Sequence, residues 1–589
     1  MTDNRPQRLR RARPVLAIAG VAFATGAIVG ANAGGSPRQS LATSFVRDWT
    51  RGNYAAMYDD IDRAAQHAVT PHGLAVAYSE AMKLSTATSA RIVGRARSEP
   101  GGTIAVPVRV STRLFGTLSL DFTIPIHEEG GSQKVSWSPS LTFPGVPPGE
   151  HLTRRTALPQ RASLLARDGS VLAESPPGSA SASGEAELTR SSPLGEAANA
   201  VIGTVGAPPA SRRASLEAEG VPSDGLVGLS GLERAFDRQL RGTAGGELLA
   251  GSEVLAAVDP RPAQAVRTSV SAAIQHAAVT ALGGQLGGVV VMQPSTGQIQ
   301  AVAGLGLNGL QPPGSTFKMV TLTGVLNAKV AGVHTVFPYA TFATLDGVKL
   351  HNANGEECGG TLSHAFAVSC NSVFTPLGVK LGASRLVATA EQFGFNHAPG
   401  IEGASESTLP AASRIQGELD VGSTAIGQGE VLATPLQMVT VAATIADGGR
   451  RPRPTFEAHA QPAFPARAAS PSVARTVRRL MIDVVREGTG VSAAISGVTV
   501  AGKTGTAELK TECSAPGQAS EEASSSGENA QRNCPESEAS NTDAWFAAFA
   551  PALHPRVAVC VMLVKDGAGG DTAAPVAREV MEAALRAGG

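Results

Sequence analysis

The chain of 589 residues is poor in aromatic side chains, balanced in charge and sparing in cysteine. Aromatics make up only 4% of it, which leaves no platform on which single-stranded bases could stack. Its 49 lysines and arginines offset 49 acidic residues, so no basic footprint for nucleic acid exists. A Gly-rich phosphate loop is missing, and so is a His/Cys cluster with zinc spacing. His127-Glu128-Glu129 has no second ligand pair at helical spacing and reads as a polar turn. Neither a metal nor a cofactor is expected. What is present is a 42% hydrophobic composition, ordinary for a globular protein, and length for three or four domains.

The amino terminus sets the expected compartment. Arg5, Arg8, Arg10, Arg11 and Arg13 precede an apolar stretch from Val15 to about Val29, the positive-inside pattern of an export signal. Ala31-Asn32-Ala33 offers a cleavage site, so a cleaved signal and a retained anchor both fit. Either way the remainder faces outside, where disulfides persist. Of the five cysteines, Cys513 and Cys534 bracket a long polar segment and are the best pair. Cys358 and Cys370 form a possible second pair, against the reading that Cys370 packs as a small buried residue. Cys560 reads as a free core cysteine.

Beyond the apolar stretch, Leu41 to Asp59 has helical periodicity, and Thr103–Val110 and Leu118–Ile126 alternate as half-buried strands do. Pro144 to Pro148 marks a linker, and Pro177 to Gly184 reads as an exposed loop. From Gln275 a helix, a strand at Gly287–Gln293 and a largely helical middle follow. Two strands near 498–506 and 543–549 are joined by the polar insertion Glu508–Thr542. A strand at Val557–Val564 and a helix at Ala574–Arg586 complete an antiparallel sheet flanked by helices.

Three short motifs stand in one order in this region: Ser315-Thr316-Phe317-Lys318, Ser369-Cys370-Asn371 and Lys503-Thr504-Gly505-Thr506. Alone each is weak; the ordered set reads as a serine acyl-transferase that uses lysine to activate its nucleophile. Pro312-Pro313-Gly314 ahead of the apolar run Phe317–Leu326 places Ser315 at a helix amino terminus, with Lys318 a turn further on the same face. An ammonium cannot accept a proton, so Lys318 must be neutral, and burial with Lys503 nearby would lower its pKa. Ser369 can relay the proton to a leaving amine. Asn371 can bond the substrate amide and hold Lys318. The strand-like run Val498–Gly502 would present Lys503, Thr504 and Thr506, beside Gly505, to a substrate carboxylate. Backbone N–H groups of Ser315 and Thr506 would form the oxyanion hole.

On these motifs the chain resembles the class B penicillin-binding proteins. The likeness extends to Val289–Gly297, Ile426–Glu430, Thr434–Met438 and Asp543–Phe546, and upstream to Arg167-Asp168-Gly169 and Ser230–Glu233. It implies a multidomain α+β protein, with a transpeptidase domain of the penicillin-binding and serine β-lactamase type at 276–587. A dimerisation or pedestal domain at 150–275 would precede it. A small cone-like α+β domain at 38–143 resembles the nuclear-transport-factor-like module of resistance-type members. The resemblance favours an uncleaved transmembrane anchor at 14–33 after a cytosolic tail at 1–13, in the cell membrane with the catalytic domains extracytoplasmic. It implies peptidoglycan stem peptides as substrate, β-lactams as covalent inhibitors and a membrane glycan polymerase of the SEDS type as partner.

Two further classes fit the motifs. A serine β-lactamase or D,D-carboxypeptidase would resolve the acyl-enzyme with water, but no Glu-x-x-Leu-Asn element lies between Asn371 and Lys503. A non-catalytic β-lactam sensor would need a cytosolic signalling domain.

Overall fold

The structure is a computed structural model that describes residues 36–175, 190–508 and 541–588. The expected anchor and tail, the Pro177–Gly184 loop and the Cys513–Cys534 pair lie outside the described residues. The chain divides into two compact units.

The first comprises residues 36–80, 89–110 and 119–149. Its helical stretch is broken where the sequence suggested continuity. Gly52 adopts a left-handed conformation (φ 68°), caps Pro37–Arg51 and turns the chain into a second helix, Tyr54–Asp60. The strands Thr103–Thr112 and Thr117–Glu129 follow as expected. Trp49 is the pivot of this core, edge-on to Phe122 with ring centroids 5.0 Å apart. His127-Glu128-Glu129 is not a turn. It ends the second of these strands, and Gly130-Gly131 (φ 59° and 79°) makes the turn, because only glycine enters that region without strain.

The second unit holds a five-stranded antiparallel sheet: β1 (Gly287–Met292), β2 (Ile299–Gly304), β3 (Ala501–Glu508), β4 (Thr542–Ala550) and β5 (Val557–Leu563). Their order across the sheet is β2-β1-β5-β4-β3. Every residue of β1, β4 and β5 is buried, so both faces are covered. One face carries Val289, Val291, Phe546, Val559 and Val561 against helices α1 (Ala272–Leu282) and α7 (Ala573–Ala587). The other carries Val290, Met292, Trp545, Cys560 and Met562 against a helical layer. That layer includes α2 (Lys318–Asn327), α3 (Asn371–Leu381), α4 (Ala383–Phe393), α5 (Pro435–Ala446) and α6 (Pro471–Glu487). Cys560 is the buried free cysteine expected.

The segment 150–275 shares this core: Leu164, Leu172, Val201, Leu232 and Leu240 belong to the same apolar cluster as the helical layer. Its loops are tied by buried charge. Glu233, with no exposed surface, accepts from Arg161 Nε at 2.6 Å and Arg190 Nε at 2.7 Å, and Asp237 takes Arg161, Arg212 and Arg241.

Candidate active site

Ser315 sits in a single 3-10 turn, Gly314–Phe317, that runs directly into α2. Two side chains fix this turn: Thr316 Oγ1 donates to the Pro313 carbonyl at 2.6 Å, and buried Phe317 packs edge-on to Phe395 with centroids 5.3 Å apart. Ser315 itself is only partly buried and can be reached. Lys318 opens the helix proper, its backbone N–H bonded to the Ser315 carbonyl, and its side chain is fully buried.

The third motif lies within strand β3, as the expected strand near 498–506 implied, but the strand starts later. Val498–Val500 precede the strand, which begins at Ala501 and carries Lys503 to Thr506 along the sheet edge. Since only β4 pairs with it among the described residues, alternate backbone groups of β3 are free of that ladder. The Ser315 turn lies against this edge, and glycines make the approach possible. A Cβ on Gly505 would stand 2.7 Å from the Pro313 carbonyl oxygen, and one on Gly314 (φ 51°) 2.9 Å from the Thr506 carbonyl oxygen.

Ser369 follows the short helix Leu362–Ala367 and takes a left-handed conformation (φ 61°), rare for a residue with a side chain. That turn directs its carbonyl to Lys318 Nζ at 2.6 Å. Asn371 Nδ2 donates to the His351 carbonyl at 2.9 Å, which orients Oδ1 toward Lys318 Nζ, also at 2.6 Å. The hydroxyl of Ser369 lies 3.4 Å from Lys318 Nζ and accepts from Lys503 Nζ at 2.8 Å. A disulfide joins Cys370, the middle residue of this motif, to Cys358 on the strand Cys358–Thr361. This decides between the two readings of Cys370.

Electrostatics follow from burial. Lys318 and Lys503 have no exposed surface. Burial lowers the Lys318 pKa well below the ordinary lysine range, and the neighbouring Lys503 cation lowers it further. Burial brings Lys503 down to about 7. A neutral amine has two hydrogens and one lone pair. The Ser369 carbonyl and Asn371 Oδ1 take both hydrogens of Lys318, which leaves the lone pair for a hydroxyl proton. Lys503 donates into Ser369 Oγ, so the Ser369 hydrogen is left to point elsewhere, toward Lys318 or a leaving group.

The structure thus brings Ser315, Lys318, Ser369, Asn371 and Lys503 to one place. Among the described residues no side-chain hydrogen bond joins Ser315 to Lys318, whose Nζ is engaged by Ser369 and Asn371. The threonines of β3 differ. Thr504 is almost buried, its hydroxyl 2.5 Å from that of Thr489; Thr506 is partly exposed, and its hydroxyl accepts from the Gly569 N–H at 3.4 Å. Sequence reasoning missed Thr489, His351 and Gly569. Each acts through a backbone group or one hydroxyl, far from any motif.

Residues 287–582 match the penicillin-binding protein transpeptidase domain, 181–253 the penicillin-binding protein dimerisation domain and 37–150 the NTF2-like N-terminal transpeptidase domain. The chain is 33% identical over 432 residues to the peptidoglycan D,D-transpeptidase PbpA of Mycolicibacterium smegmatis, covering 61% of this chain and 80% of that one. Among solved structures, it resembles the D,D-transpeptidase domain of a peptidoglycan glycosyltransferase from Eggerthella lenta, with 28% identity, a TM-score of 0.56 and coverage of 73% and 99%. It also resembles the penicillin G acyl-enzyme complex of penicillin-binding protein A from M. tuberculosis, with 27% identity, a TM-score of 0.53 and coverage of 72% and 99%. A match over just over half of its length places the chain in the penicillin-binding protein transpeptidase family.

Proposed function

We propose that this chain is a peptidoglycan D,D-transpeptidase that joins stem peptides through an acyl-enzyme on Ser315. The observation that carries this is Lys318: fully buried, its pKa lowered, with two acceptors at 2.6 Å that use up its hydrogens. Ser315 Oγ attacks the carbonyl of the D-Ala-D-Ala bond and its proton passes to the Lys318 lone pair. The N–H groups of Ser315 and Thr506 hold the oxyanion as charge develops. Ser369, between the two lysines, hands the proton to the departing D-Ala amine. Asn371 bonds the substrate amide. Thr506 takes the terminal carboxylate, with Thr504 and Gly505 behind it and Lys503 supplying positive potential. An amine from a second stem peptide then resolves the ester by the reverse proton path.

A β-lactam enters the same way, but its opened ring stays attached and blocks the acceptor. Among the described residues no carboxylate is hydrogen bonded to Ser315, Lys318, Ser369 or Lys503, so no second, carboxylate base for a deacylating water stands beside them. This favours transfer over hydrolysis, against the β-lactamase or carboxypeptidase reading. The proposed domain division is that of the sequence: tail 1–13, anchor 14–33, NTF2-like domain 38–143, pedestal 150–275 and transpeptidase 276–587. The anchor would hold the protein in the cell membrane with catalysis outside, next to a glycan polymerase of the SEDS type. No helix among the described residues is long and apolar enough to cross a membrane.

The test uses a donor peptide or thioester ending in D-Ala with a D-amino acid acceptor. Transfer product that exceeds hydrolysis product, and is abolished by prior penicillin, supports the reading. Rapid repeated hydrolysis of penicillin replaces it with a β-lactamase.

A further inference from the structure

A cavity of about 250 Å³ lies in the transpeptidase domain, and none of Ser315, Lys318, Ser369, Asn371 or Lys503 lines it. Its walls come from the end of α4, the first turns of α5 and the segment Arg451–Pro454. Two guanidinium groups line it, Arg451 and Arg453. Neither has an ion-pair or hydrogen-bond partner for its side chain among the described residues, and Arg451 Nε is buried with its hydrogen unused. Their neighbours differ: Arg450 pairs with Asp447, and Arg467 donates to the Gly448 carbonyl. A buried donor without an acceptor is costly in a native protein and calls for an explanation.

Glycines make room for both arginines. At Gly394 (φ 112°) a Cβ would stand 2.6 Å from Arg451 Nη1, and at Gly400 (φ 84°) 3.3 Å from Arg453 Nε. The amide of Gln437 is anchored, its Nε2 donating to the Phe393 carbonyl at 2.9 Å, beside the same cradle. Burial lowers the Arg451 pKa, with no carboxylate offsetting it. Apart from Thr440, the remaining side chains of the wall are apolar, chiefly Phe393, Leu436 and four prolines at 399, 452, 454 and 465. Guanidinium forks match the planar oxygens of carboxylates and phosphates, and rigid apolar walls match a short hydrocarbon body.

We propose that this cavity is a binding site for a small oxyanion on an apolar body, with Arg451 and Arg453 clamping the oxyanion and the proline wall holding the body. The volume suits a single ring or short side chain, not an extended peptide. Free organic acids and phosphate-bearing compounds share this chemistry, and the probes below separate them.

The experiment uses the full-length protein in detergent, with the Ser315 cleft filled by a penicillin; the acylation mass shift reports separately on that cleft. Benzoate, inorganic phosphate and neutral benzamide are titrated by saturation-transfer NMR and calorimetry. Benzoate should bind best, phosphate more weakly, and benzamide at least tenfold more weakly than benzoate. Arg451→Gln and Arg453→Gln, the latter at an exposed residue, should each weaken benzoate at least tenfold while the rate of penicillin acylation stays the same. Benzamide binding as tightly as benzoate, phosphate binding more tightly than benzoate, no binding of either anion, or affinity unchanged in Arg453→Gln would each overturn the proposal.

Discussion

In the proposed mechanism Lys318 is the base, and its neighbours say why it suits that role. Two acceptors at 2.6 Å consume the hydrogens of a neutral amine, and a nearby cation discourages a third proton. Lys318→Ala should therefore lower the second-order rate of penicillin acylation by roughly 10³-fold or more, with the fold kept. Stopped-flow measurement with a fluorescent penicillin checks this; near wild-type acylation would remove lysine as the base. The lysine pair also sets a pH profile, as one coupled system. Acylation needs Lys318 neutral, so the rate rises with pH as that proton leaves. It also gains from a charged Lys503, so it falls as Lys503 deprotonates at about 7. Lys503→Ala removes the cation that depresses Lys318. The Lys318 pKa then rises, the ascending limb moves to higher pH and the descending limb is lost. A profile whose ascending limb stays in place would contradict the coupling. That these side chains meet was legible in the sequence because each motif carries its own chemistry. The contact of Thr489 with Thr504 was not, since a lone hydroxyl just past the end of α6 carries no local signal.

Among elements, the Ser369–Asn371 corner is held from outside the motif. Ser369 is left-handed without being glycine, Cys370 is tied to the strand Cys358–Thr361, and Asn371 is tied to His351. Closing a loop of 12 residues stabilises by about 3 kcal/mol in the chain-entropy model. A Cys358→Ser, Cys370→Ser double variant should acylate roughly tenfold or more slowly and melt at a lower temperature, while Cys560→Ser leaves acylation unchanged. Melting lowered with acylation intact would make the bridge purely structural. The sequence offered this pairing only as one of two readings, because twelve residues of spacing do not say that two side chains meet. It also placed the strand of the third motif a few residues early. Val498–Val500 look strand-like, but pairing with β4 begins only at Ala501. The helical stretch after Leu41 was too long for a related reason: Gly52 acts as a cap, and periodicity alone does not reveal its φ.

At the scale of the molecule, alternating strands and apolar helices in the carboxy-terminal half made the flanked antiparallel sheet readable. The depth of its burial was less so, because β1, β4 and β5 are apolar on both faces and lose the period of two. The pedestal segment was legible as a region but not as a partner in the same core, since its contacts run between residues far apart in the chain. Its charge network gives a stability prediction. Glu233→Ala leaves Arg161 and Arg190 without their shared carboxylate inside the fold, and should cost on the order of 3–5 kcal/mol in denaturant unfolding. A loss under about 1 kcal/mol would mean that water or other acceptors replace it. The central claim, that Ser315 is the nucleophile of a slow-to-hydrolyse acyl-enzyme, is tested most directly by intact-mass spectrometry with a penicillin, followed by proteolysis. One added penicilloyl mass is expected that persists for many minutes, maps to the peptide containing Ser315 and is absent from Ser315→Ala. A label on another residue, or an adduct that vanishes within seconds while free penicilloic acid accumulates, would contradict it.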